Sequence, residues 1–255
     1  MLLIIPTIPI QHSNCDAEIT GAHRNHATDV YSLDPVERAR LLRKENAKAL
    51  HIEFRDCEAW ESHSIEVIRR LREAVDIPIE VSLGHMPVSA DSLEPLFSDG
   101  CNRLFLPLAA ELHRFYELYA VYGRKIVPTL RPADATPQLL HEFHDKRVER
   151  IGVELNQPDV VANTGIDWSQ LEHVVLLATE LGIRITALHG VGGYPDLQRI
   201  QSLGIALDSL VLCRALNENR FPCQMIWREL EEEFAHEVAP ASNLWSNPLE
   251  GKPHL

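Results

Sequence analysis

Short apolar runs rich in Val, Ile and Leu recur along this chain, and segments with apolar residues at every third or fourth position separate nearly all of them. The runs are LLIIPTIPI (2–10), AKALHIEFRD (47–56), DIPIEVSL (76–83), CNRLFLPLA (101–109), RKIVPTL (124–130), ERIGVEL (149–155), GIRITALHG (182–190) and DSLVLC (208–213). Each reads as a strand, which makes eight. The intervening segments carry helix punctuation. SLDPVERARLLRKENA opens with Asp34 as a candidate cap and Pro35 in the first turn, and YPDLQRIQSLG ends on Gly204.

Strands apolar on both faces and alternating with helices belong in a parallel sheet covered by helices. Eight such units in this length predict a closed (βα)8 TIM barrel, with an open doubly wound sheet as the weaker alternative. The expected organisation is one barrel over residues 1–235 and a tail over 236–255 whose Pro, Ser and Asn content suits irregular structure. In such a barrel the site lies at the carboxyl ends of the strands, so the residues that end each strand are the candidates.

Composition narrows the partners. A formal charge of −13 and a pI of about 5.4 argue against a nucleic-acid or acidic-membrane footprint. The five cysteines, Cys15, Cys57, Cys101, Cys213 and Cys223, form no CxxC pair and signal neither a disulfide framework nor a zinc clip, which suits a reducing cytoplasm. The apolar start is cut by Pro6 and Pro9 and lacks a basic flank, so it reads as a buried first strand rather than a signal peptide or membrane span. His12, Cys15, Asp16, His23 and His26 in the first βα loop, and the pair His141 and His144, match no strong zinc spacing. The sequence calls for no metal and no cofactor.

The stretch HGVGGYPDL carries the sharpest local signal. Gly190, Gly192 and Gly193, with Val191 between them, follow strand seven and open a helix, where backbone amides and the helix dipole favour an anion. Strand eight ends at Cys213 and Arg214 in a second tight turn, and the loops after strands seven and eight are the usual phosphate cradle of such barrels. Gly190, Val191, Gly192, Gly193, Cys213 and Arg214 are therefore the candidate phosphate-binding residues. The plainer alternative is that the glycines only close a βα turn.

TDVYSLDPVERARLL (28–42), AKALHIEFRD (47–56), AVDIPIEV (74–81), NTGIDWSQL (163–171) and CRALNENRF (213–221) resemble the histidine-biosynthesis isomerase HisA, the phosphoribosyl-formimino aminoimidazole carboxamide ribotide isomerase, and its cyclase relative HisF. The resemblance runs from about residue 2 to 222 and implies a barrel of the ribulose-phosphate-binding type. It also implies an aminoaldose to aminoketose rearrangement served by two strand-end aspartates, one closing strand one and one ending strand five. Pro9 stands at the first of these positions and Leu130 or, with a one-residue slip, Arg131 at the second; none of them replaces a carboxylate as general base at neutral pH. The family's other phosphate cradle, after strands three and four, reads SLGHMP and FLPLAA, keeping Gly84 but placing Leu83, Pro107 and Leu108 where small residues belong.

The strand ends still supply Thr7, Glu53, Arg55, Asp56, Glu80, His85, Arg131, Glu154, Asn156 and His189. Glu154 opposite His189 or Arg131 is a candidate catalytic set, a carboxylate with a tunable partner. Alternatively, Glu53, Glu80 and Glu154 pair with Arg55, Arg131 or His51 as structural ion pairs, since strand parity is not fixed by sequence. Two functional classes follow. One is a divergent barrel that binds a small phosphorylated sugar or nucleotide metabolite and has lost the isomerisation, with a protein partner or homo-oligomer left open. The other is an active isomerase, or an enzyme performing a different reaction on a monophosphorylated substrate through replacement residues.

Overall fold

Eight parallel strands form in the computed structural model: β1 (Leu3–Gln11), β2 (Leu50–Phe54), β3 (Ile79–Ser82), β4 (Cys101–Pro107), β5 (Ile126–Leu130), β6 (Arg150–Glu154), β7 (Arg184–Leu188) and β8 (Ser209–Leu212). Each pairs with the next, and β1 pairs in parallel with β8 through Leu3↔Ser209 to Pro6↔Leu212, which closes the barrel. The structure describes residues 2–11, 14–15, 34–55, 62–83, 88–108, 112–155 and 166–217. The expected tail therefore lies outside the described residues.

A helix follows every strand: α1 (Pro35–Lys44), α2 (Ser62–Ala74), α3 (Ala90–Ser98), α4 (Leu112–Tyr122), α5 (Pro137–Asp145), α6 (Trp168–Glu180), α7 (Tyr194–Ser202) and the single turn α8 (Arg214–Asn217). The Asp34 side chain caps α1 by accepting from the Val36 amide at 3.0 Å, with Pro35 at the first helical position, as the sequence predicts. Thr136 and Asp167 cap α5 and α6 in the same way.

Alternation along the strands sorts their side chains into two cores. Ile4, Ile8, Ile52, Val81, Leu104, Ile151 and Ile185 point outward and pack under the helices. Ile5, Ala49, Phe105, Val127, Leu188 and Val211 form a separate cluster inside the barrel. Fully burying an apolar side chain of this size is worth about 1.5–3 kcal/mol, so both cores hold the strands in register.

Following the registers round the barrel places the inward positions in layers of four, drawn from alternate strands. Ala49, Arg103, Arg150 and Ser209 lie toward the amino-terminal end, and Ile5, Glu80, Val127 and Thr186 come next. His51, Phe105, Gly152 and Val211 form the middle layer, with Thr7, Ser82, Thr129 and Leu188 above it. Glu53, Pro107, Glu154 and Cys213 form the layer at the carboxyl-terminal mouth. Packing supports this stacking: a Cβ on Gly152 would meet Thr129 Cγ2 at 2.7 Å, Leu188 Cδ1 at 3.0 Å and Phe105 Cδ1 at 3.1 Å.

Pro6, Pro9 and Pro128 lie inside β1 and β5. The two-residue strand Asn14–Cys15 pairs antiparallel with Ile10 and Gln11, extending β1 into the first loop.

Candidate functional site

The β7 to α7 turn is built on backbone conformations that glycine favours. His189 and Gly190 both have positive φ, 60° and 81°, and the Val191 amide donates to the His189 carbonyl at 3.0 Å. A non-glycine residue in this region carries roughly 1 kcal/mol or more of strain, so His189 is held there by its surroundings. Val191 itself is buried and anchors the turn in the outer core. The Gly192 amide donates to Asp196 Oδ2 at 2.8 Å, and Gly193 precedes α7 in an extended conformation. A carboxylate from the first turn of the helix thus already engages one amide of the candidate cradle. Across the adjoining strand end, Cys213 is half-buried and α8 begins at Arg214, whose side chain lies outside the described residues.

The candidate catalytic residues occupy separate surroundings. Glu154 ends β6, and its Oε1 accepts from Thr129 Oγ1 at 3.1 Å. Arg131, just past β5, is mostly exposed and makes two hydrogen bonds to Asp134, Nε to Oδ2 at 2.7 Å and Nη2 to Oδ1 at 3.1 Å. Asp134 is the main cause holding the Arg131 guanidinium above its ordinary pKa, with a smaller contribution from the Glu154 charge. Among the described residues no hydrogen bond or ion pair joins Glu154 to Arg131 or to His189. His189 instead lies within electrostatic range of His51, which is wholly buried and stands edge-on to Phe105 at 5.3 Å between ring centroids. Burial, and secondarily the His189 charge, push the His51 pKa down to about 3, so His51 is neutral at physiological pH.

The remaining inward polar residues divide by height. Glu53 reaches Arg55 at 3.5 Å near the mouth. Glu80 pairs with Arg103, at 2.6 Å, rather than with any of the partners expected from sequence. Its carboxyl is nonetheless raised above the usual carboxylate range, because burial outweighs the Arg103 guanidinium. Asp56, His85 and Asn156, together with His12, Asp16, His23 and His26, lie outside the described residues. On α5, His144 Nδ1 is 2.9 Å from the Leu181 carbonyl and His141 is exposed. No group of three His, Cys, Asp or Glu that would hold a metal occurs among the described residues, and none of the described helices is long and apolar enough to cross a membrane.

Sequence reasoning did not single out Thr129, the hydroxyl that meets Glu154, and named His51 only as an ion-pair partner for a glutamate inside the barrel, whereas the structure leaves it neutral and without such a pair among the described residues. The available signal was spacing: His51 lies two positions before Glu53, and Thr129 two before Arg131, on the inward phase of their strands.

Comparison with known proteins settles the lineage. A family model described as "Histidine biosynthesis protein" matches residues 3–127. The 1-(5-phosphoribosyl)-5-((5-phosphoribosylamino)methylideneamino)imidazole-4-carboxamide isomerase of Salinibacter ruber is 31% identical over 243 residues, covering 89% of this chain and 93% of its own. The isomerase of the same name from Chlorobium luteolum is 30% identical over 248 residues, covering 91% and 94%. The chain belongs to the histidine-biosynthesis isomerase family. Among solved structures, a mutant tryptophan synthase alpha-subunit from Pyrococcus furiosus superposes with a TM-score of 0.60 at 11% identity, covering 91% of this chain and 98% of that one, and shows the fold alone.

Within the histidine-biosynthesis isomerase family, the two positions where the resemblance calls for aspartates are physically distinct here. Pro9 is buried in register with Glu53. Leu130 is buried in the outer core beneath the helices, and the next residue, Arg131, is tied to Asp134.

Proposed function

We propose that this member of the histidine-biosynthesis isomerase family is a cytoplasmic barrel that binds a monophosphorylated sugar or nucleotide metabolite at the β7–α7 and β8–α8 turns, and that it no longer performs the aminoaldose to aminoketose rearrangement. The observation that carries this reading is the pair of positions filled by Pro9, late in β1, and by Leu130 or, with a one-residue slip, Arg131 at the end of β5. A proline has no group to exchange a proton, a leucine turned into the outer core has neither the chemistry nor the direction, and a guanidinium tied to Asp134 is no general base at neutral pH. The glycine-rich turn with two consecutive left-handed residues, opening α7, supports an anion site at the other side of the mouth. The acidic net charge supports a small-molecule ligand over nucleic acid or a membrane surface. A protein partner or homo-oligomer is compatible with this reading and is not required by it.

Calorimetric titration with inorganic phosphate, ribose 5-phosphate and the family's two-phosphate substrate, with an isomerase assay on the same sample, tests it. Binding of a single-phosphate ligand without turnover is expected. Turnover of the two-phosphate substrate at an ordinary enzymatic rate overturns the reading.

A second reading, a reaction run by replacement residues, is favoured by one observation: Glu154 stands at the mouth with Thr129 as a hydroxyl partner. In a turnover assay, Glu154→Gln would then lower kcat by about 100-fold or more, the usual scale for a proton-transfer group.

A further inference from the structure

Buried polar atoms are almost always hydrogen-bonded, and leaving one unpaired costs about 1–3 kcal/mol. Inside the barrel below its mouth, both ring nitrogens of His51, Glu80 Oε2 and Arg150 Nε are buried without a hydrogen-bond partner among the described residues. All three residues are more than nine-tenths buried. The ladders bring them together. His51 on β2 and Glu80 on β3 are Cα partners, and partners in a parallel ladder present their side chains to the same face, here the inside of the barrel. Glu80 is paired on its other side with Arg103, which takes Oε1 and leaves Oε2 over. Arg150, from β6, lies within electrostatic range of Glu80, while its Nη1 is committed to Asp208, Thr186 and Ser209.

We propose that the interior between His51, Glu80 and Arg150 is a binding site for internal water, which completes the polar framework of the lower barrel. The site is distinct from the mouth and does not rest on the function proposed above. Charge excludes an ion. Glu80 and Asp208 stand among Arg103 and Arg150, so an ion of either sign would meet as many like charges as opposite ones. Packing excludes an organic ligand. Ile5, Ala49, Phe105 and Val127 fill the interior around these residues, and a single methyl on Gly152 would already meet Thr129 Cγ2 at 2.7 Å and Phe105 Cδ1 at 3.1 Å. The atoms call for a molecule that both donates and accepts. Arg150 Nε only donates, ionised Glu80 only accepts, and neutral His51 has one nitrogen of each kind. Water is the smallest molecule that serves all of them, and a buried water makes about three hydrogen bonds of this sort. Accepting from Arg150 Nε and from the protonated nitrogen of His51 while donating to Glu80 Oε2 also fixes which nitrogen of His51 carries the proton.

A crystal structure of the wild type at a resolution that shows ordered water tests this directly. Density for water within hydrogen-bond distance of Glu80 Oε2 and of Arg150 Nε or a His51 nitrogen is expected. Those atoms closed onto one another or onto other protein atoms, or an ion or organic molecule between them, would overturn the proposal. Relaxation dispersion of the water oxygen, which counts slowly exchanging internal molecules, reaches the same decision in solution when the wild type is compared with the double variant Arg103→Met and Glu80→Leu. That variant replaces the ion pair by apolar groups, which keeps the fold while removing the acceptor. It is expected to lose at least one slowly exchanging water. The nitrogen NMR signals of His51, one protonated and one bare in the wild type, are expected to move toward each other in the variant as the tautomer preference weakens. Equal water counts in the two proteins would refute the site. Should the double variant fail to fold, the wild-type crystal structure decides alone.

Discussion

The two ends of the barrel bury polar residues in opposite ways. Toward the amino-terminal end, Glu80 is held by Arg103 at 2.6 Å. Nearby, Arg150 Nη1 pairs with Asp208 and donates to Thr186 Oγ1 at 2.8 Å and to Ser209 Oγ at 3.3 Å, while the two hydroxyls are 2.8 Å apart. Among the described residues, Glu80 Oε2 and Arg150 Nε there lack hydrogen-bond partners, but Glu80 and Arg150 each have a counter-charge. From the middle layer up to the carboxyl-terminal mouth, Thr7 and His51 have no side-chain hydrogen-bond partner among the described residues, and Glu53 has only Arg55. A charge inside a barrel is thus no sign of function by itself. What separates framework from site is whether the chain supplies the partner, and in this fold the unsupplied end is the one where sites form.

The contrast between the two ends is most sensitive to pH. His51 is held at about 3, below its ordinary 6.5, so as pH falls below 6.5 the unfolded chain takes up the proton that the folded chain refuses. Stability is full above pH 6.5 and declines at up to about 1.4 kcal/mol per pH unit as pH falls toward 3, a total of up to about 5 kcal/mol. Urea unfolding between pH 7 and 5 is expected to show this slope, and His51→Gln is expected to flatten it. Equal slopes in the two proteins would mean that His51 is not held neutral.

At the other end, Arg103→Ala is expected to cost about 3 kcal/mol by leaving Glu80 buried without its counter-charge, and the double change to Arg103→Met and Glu80→Leu to restore most of it. A cost below about 0.5 kcal/mol for the single change would put this pair among ordinary surface contacts. Gly152→Ala is expected to cost about 2 kcal/mol in the same assay, because its methyl would press on Thr129, Leu188 and Phe105 between the two ends. The smallest effect sharpens the picture of the phosphate turn. Asp196→Asn removes a negative charge from the Gly192 amide, and a roughly two- to fivefold gain in phosphate affinity by calorimetry is expected.

The strands, the α1 cap at Asp34 and the glycine turn after β7 were legible because each depends on local pattern. The pairing of Glu80 was not. Its partner Arg103 sits in a run that reads as plainly apolar, and the register shifts between Ile79 and Glu80 against β4, so the inward phase of one strand does not predict that of the next. The facing of Glu53 and Glu154 depends on how the strands stagger round the closed barrel, which is a property of all eight ladders together. For the same reason sequence placed Glu154 with Arg131 and His189, all strand-end residues, while the structure gives Arg131 to Asp134 and Glu154 to Thr129.

A crystal structure of the protein grown with saturating ribose 5-phosphate tests the contrast between the two ends most directly. The expected result is a ligand at the carboxyl-terminal mouth, its phosphate on the amides of the Gly190–Gly193 turn and near Cys213, with Glu80 and Arg103 still paired below. A mouth left empty at saturation, or a ligand seated at the amino-terminal end among Arg103 and Arg150, would contradict it.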